Sequence, residues 1–503
     1  MLTANHCRRG VRLSTSAVSG RNHQRPFQTA LMTSMSISVR ALCLAFTFSA
    51  PAFAQAPDIA TQADRYLTTR MEMGNFSGAV LVAKDGKVLF RKGYGYADLE
   101  KRVPYTAETQ HAVASISKMF TAMAALKLRD QGKLELGDSI CSYLDNCPET
   151  WKPITIDQLI HHTSGIPDYE EALELGSAAY MEFMSKRGTS ARIIAEARTK
   201  PLDFTPGEKF RYSNTAYIAL GYIVQRASGK PFAEYVTQTL LKPAGMTHTG
   251  VIGASPTRPK NLAPGYTYGN LGWEKMLGGV SYTDGHMQRV ADLPLTPPHG
   301  DGFLYSTLDD LYKWSQVMDG GSIVTPADIG DVYKPGLGDY GFGWFISKAF
   351  NRTRYNHTGA LPGYVSNFIK FPDDKVTIII FANIDRGRMS SISRDLSSIA
   401  LGAPYDMPVR GKLVKLTPDQ TARLKGEYKM ADGTLLTIDE SDMVTAEIKG
   451  RYMAGLIPLS PTEFYFPLGD GRAIFTLDNT GKATQVNMRY SGEDHIATRS
   501  TSK

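Results

Sequence analysis

The order of apolar and polar positions predicts alternating helices and strands up to about residue 400. Residues 58–72 carry apolar side chains at helical spacing, and residues 77–83 and 88–94 have the pattern of two strands joined at Asp85-Gly86. We expect further helices over 115–126, 151–165, 217–227 and 308–318, and further strands over 340–347, 367–371 and 376–382. The last of these runs is apolar throughout, which is typical of a strand at the centre of a sheet.

The pattern changes twice further along the chain. Residues 250–302 are rich in Gly, Pro, Thr and Tyr and have little periodicity, so we interpret them as loops over a functional site. From residue 426, short alternating segments are separated by turns such as Asp432-Gly433. About eight strands in roughly 80 residues predict a small antiparallel barrel or sandwich. The chain therefore divides into a leader (1–54), a domain of helices and strands (55–410) and a C-terminal β domain (415–503).

The leader has the pattern of a secretory signal. Arg40 precedes an apolar run from Ala41 to Ala50, and Ala52-Phe53-Ala54 follows as an A-x-A cleavage pattern. The run is shorter than the roughly 20 apolar residues that span a bilayer, so we expect no stable membrane span and a periplasmic or secreted protein. Residues 1–34 do not fit such a signal, which indicates a true start at Met32 or Met35. An Arg-rich transit peptide is the alternative.

The net charge, the cysteines and the histidines indicate which partners, disulfides and metals can be expected. Removing the six arginines of the leader from the net charge of +7 leaves +1, which excludes the basic footprint of a nucleic-acid partner. After the leader only Cys141 and Cys147 remain; in an oxidising compartment they would close a small disulfide loop, and two unpaired thiols are the alternative. No metal or cofactor is expected, since H-E-x-x-H is absent and the adjacent His161-His162 would face different ways.

The most informative chemistry lies in Ser115-Ile116-Ser117-Lys118. A serine and a lysine three residues apart share one helix face, which places an amine beside a hydroxyl that can act as a nucleophile. Ser500-Thr501-Ser502-Lys503 has the same pattern, but nothing near that chain end suggests a site. The first copy is followed, in order, by Tyr212-Ser213-Asn214 and His357-Thr358-Gly359.

We expect Ser115, Lys118 and Tyr212 to be catalytic. Lysine and tyrosine have ordinary pKa values near ~10.4 and ~10, so burial or nearby charge must adjust them before either can accept the Ser115 proton. Close together and dry, the two groups can share one proton, act as base toward Ser115 and then act as acid toward the leaving group. The sequence leaves open which of them carries the proton.

Two further segments are expected to bind substrate. The Asn214 amide can orient Lys118 and bind a substrate carbonyl. Tyr268-Gly269-Asn270 is a rival Y-x-N, but Pro206-Gly207 leads into the first copy and a good helix follows it.

The H-T-G segment is interpreted as the start of an edge strand along the cleft, where Gly359 would let substrate backbone approach closely and His357 and Thr358 would contact substrate. The Ser115 and Ala360 N–H groups would form an oxyanion hole, in which one donor is worth ~3 kcal/mol. A hydrogen-bonded strand histidine is the alternative for His357.

These three elements, in this order, resemble the serine β-lactamase and penicillin-binding protein superfamily, whose signature is S-x-x-K with S-D-N and K-T-G. The Y-x-N form is similar to class C β-lactamases, D,D-carboxypeptidases and related esterases. Supporting segments carry the same resemblance: Leu159 to Ile166, Ser306 to Leu311, Tyr340 to Trp344 and Gly359 to Tyr364.

The resemblance covers about residues 60–400. It implies an α+β fold with an all-helical subdomain beside an antiparallel sheet flanked by helices, and a C-terminal lipocalin-like barrel that shapes access to the site or only stabilises the protein.

The resemblance implies that Ser115 attacks a carbonyl, that an acyl-enzyme forms, and that water or another acceptor releases it. Its usual K-T-G lysine, which helps to hold a substrate carboxylate, is His357 here. Histidine is mostly uncharged near neutrality, so we expect weaker β-lactamase activity and a group titrating near pH 6–7. The resemblance implies a small-molecule or peptide substrate: a β-lactam, a D-amino-acid peptide or an ester. A penicillin-binding receptor without turnover, and a binding protein with a decayed catalytic domain, are the alternatives.

Overall fold

The structure of the protein is a computed structural model that describes residues 58–170, 190–255, 257–268, 287–290, 292–293, 299–320, 323–384, 389–408, 414–440, 444–448, 452–466 and 470–500. The leader and its proposed start sites lie outside these residues. So do Gly269 and Asn270 of the rival Y-x-N, much of the predicted loop segment 250–302, and the last three residues of the second S-x-x-K.

The structure describes ten α-helices. They are α1 (Ile59–Glu72), α2 (Ser117–Asp130), α3 (Ile156–Ile160), α4 (Ser190–Ala197), α5 (Asn214–Ser228), α6 (Phe232–Val236), α7 (Leu308–Val317), α8 (Pro326–Val332), α9 (Met389–Leu401) and α10 (Pro418–Ala422). Shorter helical turns cover Ala114–Ile116, Ile140–Ser142, Glu149–Trp151, Thr237–Leu241 and Leu337–Asp339.

The central sheet has six antiparallel strands: β1 (Gly78–Lys84), β2 (Lys87–Tyr94), β3 (Phe345–Ala349), β4 (Arg352–Leu361), β5 (Tyr364–Phe371) and β6 (Val376–Ala382). Their spatial order is β3-β4-β5-β6-β1-β2. Small sheets beside it pair Tyr96–Asp98 with Val103–Pro104, Leu304–Ser306 with His111–Ala112 and Gly250–Val251, and Tyr266–Tyr268 with Met287–Arg289.

Both faces of the central sheet are buried, which explains the unbroken apolar sequences of its middle strands. In β1, Leu81 faces one core, shared with α2 and α5, whereas Val80 and Val82 face a second core, shared with α1 and α9. Since successive strand residues point to opposite faces, a strand covered on both sides must be apolar at every position.

The boundaries of several predicted elements need correction. The strand expected over 340–347 begins only at Phe345, because residues 337–339 form a helical turn and Tyr340 makes an isolated bridge. The helix expected over 151–165 is limited to Ile156–Ile160, since His162 adopts a φ of 56° that no helix continues. Helices α4, α6, α8, α9 and α10 were not predicted.

The C-terminal strands form one antiparallel sheet that nearly closes into a barrel, as predicted. Its strands are β7 (Gly426–Met430), β8 (Leu435–Glu440), β9 (Val444–Ile448), β10 (Tyr452–Gly455), β11 (Ile457–Pro458), β12 (Glu463–Phe466), β13 (Gly471–Leu477), β14 (Ala483–Tyr490) and β15 (Glu493–Arg499). The outermost strands, β10 and β11, are adjacent in the chain, which brings the two ends of the sheet together. Apolar side chains such as Tyr428, Phe464 and Phe475 fill its interior.

A buried ion pair joins this barrel to the helices behind the central sheet. Arg70 of α1 contacts Asp470 in the turn before β13, and both side chains are at least 96% buried. The Arg70 guanidinium also donates to the Tyr66 hydroxyl, at 2.8 and 3.0 Å, and Tyr66 donates to Asp395 of α9 at 2.6 Å. The barrel is therefore attached to the α1–α9 layer, which lies on the opposite face of the sheet from α2.

Two smaller features bear on the predictions. Cys141 and Cys147 form a disulfide with a Cα–Cα distance of 5.3 Å. Among the helices that the structure describes, none is long and apolar enough to cross a membrane.

We predict that Asp470→Asn destabilises the protein by about 3 kcal/mol, because it removes the nearer of the two buried carboxylates that pair with Arg70 and leaves only Asp395, at 3.7 Å. Urea unfolding followed by fluorescence measures this. Glu149→Gln, which removes an exposed ion pair with Lys152, is the control and should change stability by about 1 kcal/mol or less. A loss in Asp470→Asn no larger than in this control would contradict the attachment.

Candidate active site

The segment before Ser115 is held in a strained conformation. Ser115 lies on the turn Ala114–Ile116, which leads directly into α2. Ala114, one residue before it, has a φ of 50°, a region that residues other than glycine seldom adopt. The Val113 N–H donates to the Leu304 carbonyl at 2.9 Å, and the Ser366 hydroxyl donates to the Val113 carbonyl at 2.8 Å. Backbone strain fixed in this way is common at functional sites.

The Lys118 amine lies at the centre of the site. Its side chain is fully buried, and Nζ lies 3.1 Å from Ser115 Oγ, 2.8 Å from Asn214 Oδ1 and 2.8 Å from the Asp301 carbonyl oxygen. The amide and carbonyl oxygens can only accept, so two N–H groups of Lys118 point at them. The third hydrogen-bonding position of the Lys118 nitrogen faces the Ser115 hydroxyl. It carries an N–H if the amine is charged, and the lone pair that a base requires if it is neutral.

Tyr212 meets this pair from a distant part of the chain. Lys118 Nζ lies 4.8 Å from the centre of the Tyr212 ring. Burial raises the pKa of the Tyr212 phenol well above its ordinary value, and a hydrogen bond with Ser115 acts in the opposite direction. The hydroxyl, amine and phenol that the sequence singled out therefore converge, and the phenol keeps its proton in this environment.

Asn214 is the first residue of α5 and is oriented by acidic groups. Ser213 caps the helix by accepting from the Ala216 N–H at 3.1 Å. The Asn214 Nδ2 group donates to Asp168 at 3.0 Å and to Glu170 at 3.2 Å, while Oδ1 accepts from Lys118. Both ends of the amide are thus engaged, which favours the predicted role of orienting Lys118 over direct contact with a substrate carbonyl.

His162 was not predicted as a site residue, yet it holds the Tyr212 segment. Its carbonyl accepts from the Arg211 N–H at 2.9 Å, and its Nδ1 accepts from the Ser213 N–H at 3.1 Å. The ring packs against Tyr212 with a centroid distance of 4.3 Å. Burial lowers the pKa of His162 well below its usual value, so the ring is neutral, as its acceptor role requires. The H-H-T-S-G sequence was the available signal.

His357 does not act as the sequence suggested. It is 2% exposed, its Nε2 lies 3.0 Å from the Tyr340 hydroxyl and its Nδ1 lies 2.6 Å from the Thr358 carbonyl oxygen. Burial, reinforced by the nearby Lys118 charge, lowers its pKa to about 3. The expectation that His357 titrates near pH 6–7 is therefore wrong, because the interior disfavours the charged ring. The imidazole stays neutral and supports the aromatic wall behind Tyr212.

The H-T-G segment lies in the middle of β4 rather than at its start, and its outer edge is uncovered. Strand β3 runs antiparallel to β4. Their pairing begins beside the connecting turn, where Ala349 lies opposite Arg352, and ends at Asn356, which lies opposite Phe345. Backbone N–H groups along a strand alternate between its two edges, so those of Thr358 and Ala360 point to the β3 side. No described strand covers that side beyond Asn356. This supports the predicted place of the Ala360 N–H in an oxyanion hole with Ser115.

Gly359 is required because β4 packs closely against other parts of the protein at this position, and not because substrate approaches it. A Cβ atom at this position would lie 2.2 Å from the Val113 carbonyl oxygen and 2.5 Å from Ser366 Oγ. Only glycine therefore allows β4 to approach the segment that carries Ser115. This corrects the interpretation of Gly359 as room for substrate, although Thr358 is exposed at the cleft.

Two buried carboxylates near Lys118 were also missed. Asp168 accepts from the Asn214 backbone N–H at 3.0 Å, and burial raises its pKa. Asp301 contributes its carbonyl oxygen to Lys118, and its carboxylate accepts from Tyr169 at 3.1 Å. No sequence motif marked either residue, because each reaches the site from a loop. In the part of the chain that the structure describes, no group of His, Cys, Asp and Glu could hold a metal ion.

Such an arrangement can transfer an acyl group to a serine. The site contains the parts that this reaction needs: a nucleophile at a strained turn, an amine beside it, a protonated phenol and a free strand edge. The fold and site thus define a serine hydrolase of the β-lactamase and penicillin-binding protein superfamily.

Comparison with known proteins identifies the family. Residues 63–399 match the Beta-lactamase family, and the chain belongs to it. The chain is 30% identical to penicillin-binding protein 4* of Bacillus subtilis (strain 168) over 453 residues. This match covers 85% of this chain and 96% of that protein. The resemblance stated from the motifs is confirmed.

Solved structures show the same fold. The octameric penicillin-binding protein homologue from Pyrococcus abyssi has a TM-score of 0.61 at 23% identity, over 88% of this chain and 100% of its own. The D-amino acid amidase from Ochrobactrum anthropi SV3 has a TM-score of 0.56 at 20% identity, over 68% of this chain and 96% of its own.

We predict that His357 makes the protein less stable in acid. Its pKa is about 3 in the folded protein, against about 6.5 when unfolded. Its contribution to stability is therefore complete above pH 6.5 and is lost as the pH falls from there toward 3. Removing it in His357→Gln should make the dependence of unfolding free energy on pH, measured in urea between pH 4.5 and 6, shallower by about 1.4 kcal/mol per pH unit. His248→Gln, at an exposed position, is the control; equal slopes in wild type and His357→Gln would contradict a buried neutral ring.

Substitution of Gly359 by alanine should separate β4 from the Ser115 turn. We expect the activity to fall at least ~100-fold, because a displacement of about 1 Å at the reacting groups usually has that effect. Acylation of Ser115 by a fluorophosphonate probe measures it. Gly137→Ala, where an added Cβ meets nothing within 4 Å, should react at the wild-type rate. Normal acylation of Gly359→Ala would show that the two segments can separate without consequence.

Proposed function

We propose that this protein is an exported serine hydrolase that cleaves an amide or ester bond of a small D-amino-acid or peptide substrate through an acyl-enzyme on Ser115. The observation that carries the proposal is the position of Lys118 Nζ, 3.1 Å from Ser115 Oγ with its other two hydrogen-bond positions occupied. A neutral amine held in this way directs its lone pair at the hydroxyl proton.

In the first step Lys118 takes the Ser115 proton while Oγ attacks the substrate carbonyl carbon. The negative charge that develops on the carbonyl oxygen is stabilised by the Ser115 and Ala360 N–H groups. Tyr212, whose raised pKa keeps the phenol protonated, donates its proton to the leaving nitrogen or oxygen, and the proton on Lys118 replaces it. The leaving group departs and Ser115 remains esterified.

In the second step a water molecule attacks the ester. The same pair reverses its roles: it accepts a proton from the water and returns one to Ser115 Oγ, which restores the free enzyme.

The electrostatics of the site favour substrates whose binding does not depend on a carboxylate. His357 replaces the lysine of K-T-G and is neutral, so it cannot supply the cation that would hold a β-lactam or D,D-peptide carboxylate. A D-amino acid amide or a short ester needs no such cation. The fold likeness to the D-amino acid amidase from Ochrobactrum anthropi SV3 is consistent with this substrate class.

A penicillin-binding receptor or D,D-carboxypeptidase without efficient turnover is the second candidate. It is favoured by the match to penicillin-binding protein 4* along nearly the whole of that protein. Export to the periplasm or the medium is supported by the Cys141–Cys147 disulfide, since disulfides persist in oxidising compartments.

The test compares D-alanine amide, p-nitrophenyl acetate, a chromogenic cephalosporin and a fluorescent penicillin on the mature protein. We expect turnover of the amide or ester and slow or absent turnover of the cephalosporin. Ser115→Ala should lower turnover at least about 10⁴-fold, because the nucleophile is lost, while Ser142→Ala, in the disulfide loop, should remain active.

Each outcome separates the candidates. Stable penicillin labelling without any turnover would favour the receptor, and rapid cephalosporin turnover would show a β-lactamase. Wild-type rates in Ser115→Ala would reject the nucleophile assignment and the proposed mechanism.

A further inference from the structure

Asp301 joins the base of the proposed reaction to a buried negative charge. Its main-chain carbonyl oxygen accepts from Lys118 Nζ at 2.8 Å, while its side chain is buried, with 3% of the residue exposed. Tyr169 donates to Oδ2 at 3.1 Å. The other carboxylate oxygen, Oδ1, has no hydrogen-bond partner among the residues that the structure describes. The same residue thus positions the amine through its main chain and carries a buried carboxylate, whose charge helps to raise the pKa of Tyr212.

A carboxylate in this position acts at a distance. Within the described part of the chain, no ion pair neutralises its charge and one of its oxygens lacks a donor, so its field extends into the surrounding low-dielectric interior. A negative charge stabilises a protonated amine and opposes a phenolate. Asp301 therefore favours the protonated form of the Lys118–Tyr212 pair.

We propose that Asp301 is a positioning residue whose buried carboxylate sets the pH at which the Lys118–Tyr212 pair becomes a base. The proposal rests on the proposed function, since it assumes that this pair takes the Ser115 proton. Asp301 itself touches neither Ser115 nor, in the mechanism above, the substrate.

Other groups around the pair do not replace this charge. The two histidines that face it, His162 and His357, are held neutral by burial, which lowers the pKa of both. Tyr217 and Tyr340 keep their protons because burial raises their pKa values. Asp168 and Glu170 are further acidic groups among the described residues, and both accept hydrogen bonds from the Asn214 amide, which disperses part of their charge. Asp301 has no such amide partner.

The test is the pH dependence of kcat/KM for an activated ester with D301N, which keeps the carbonyl oxygen and the side-chain shape but removes the charge. The acidic limb is the rise of kcat/KM with pH on the acidic side of the profile, and in D301N we expect it to lie about 0.5–1 pH unit lower than in wild type. At a pH below the wild-type midpoint, kcat/KM of D301N should therefore be about 3- to 10-fold higher than that of wild type. D319N, which removes an exposed carboxylate paired with Lys370, should leave the limb in place. D301S carries the same test if D301N does not fold.

An acidic limb that stays in place or moves up would overturn the proposal, and so would an equal shift in D319N. Failure of both D301N and D301S to fold would also overturn it, since the carboxylate would then serve the fold. S115A in the same assay keeps the two proposals distinct. An inactive S115A with an unmoved D301N limb rejects only the role of Asp301, whereas an active S115A rejects the function on which it rests.

Discussion

The site depends on one buried nitrogen, Lys118 Nζ, and on the oxygens that surround it. Burying an amine is costly unless hydrogen-bond acceptors replace its water. Three separate stretches of chain supply those acceptors: the Ser115 turn, the start of α5 at Asn214, and the loop that carries Asp301. Satisfying Lys118 therefore fixes the relative positions of the nucleophile, the phenol segment and the loop, and the catalytic geometry follows from a requirement for stability.

The surroundings of this nitrogen explain why a phenol and neutral histidines accompany it. Rings of Tyr212, Tyr217, Tyr340, His162 and His357 pack around one another at centroid distances from 4.3 to 6.3 Å. This dry aromatic wall raises the pKa of the tyrosines and lowers that of the histidines, because it disfavours every charged form. Lys118 and the carboxylates are then the groups of the site that can carry a charge, which makes their mutual placement decisive.

The sequence predicted those parts of the fold whose pattern is local. The apolar run of β6 and the capped helix α5 were predicted because burial and periodicity appear in consecutive residues. The convergence of Ser115, Lys118 and Tyr212 was inferred from motif order. Asp301 could not be predicted, since its role depends on a carbonyl oxygen that reaches the site through a loop, and His162 was missed although the H-H-T-S-G sequence was a signal for it. The error over His357 has the same origin: its residue type was known, but its burial was not.

The attachment of the C-terminal barrel bears on what that barrel can do. Its buried contact, Arg70 with Asp470, lies in the core formed by α1 and α9, whereas Ser115 and Lys118 lie on the α2 side of the central sheet. A second contact of the barrel is the ion pair between Arg489 of β14 and Asp406, at 2.9 Å, and Asp406 follows α9 in the chain. Both lie behind the sheet, so these described contacts do not bring the barrel to the nucleophile. They hold in place the helical layer against which β1 and β6 pack, and through those strands they support the sheet that carries β4. The contacts therefore favour support of the site from behind over control of access to it.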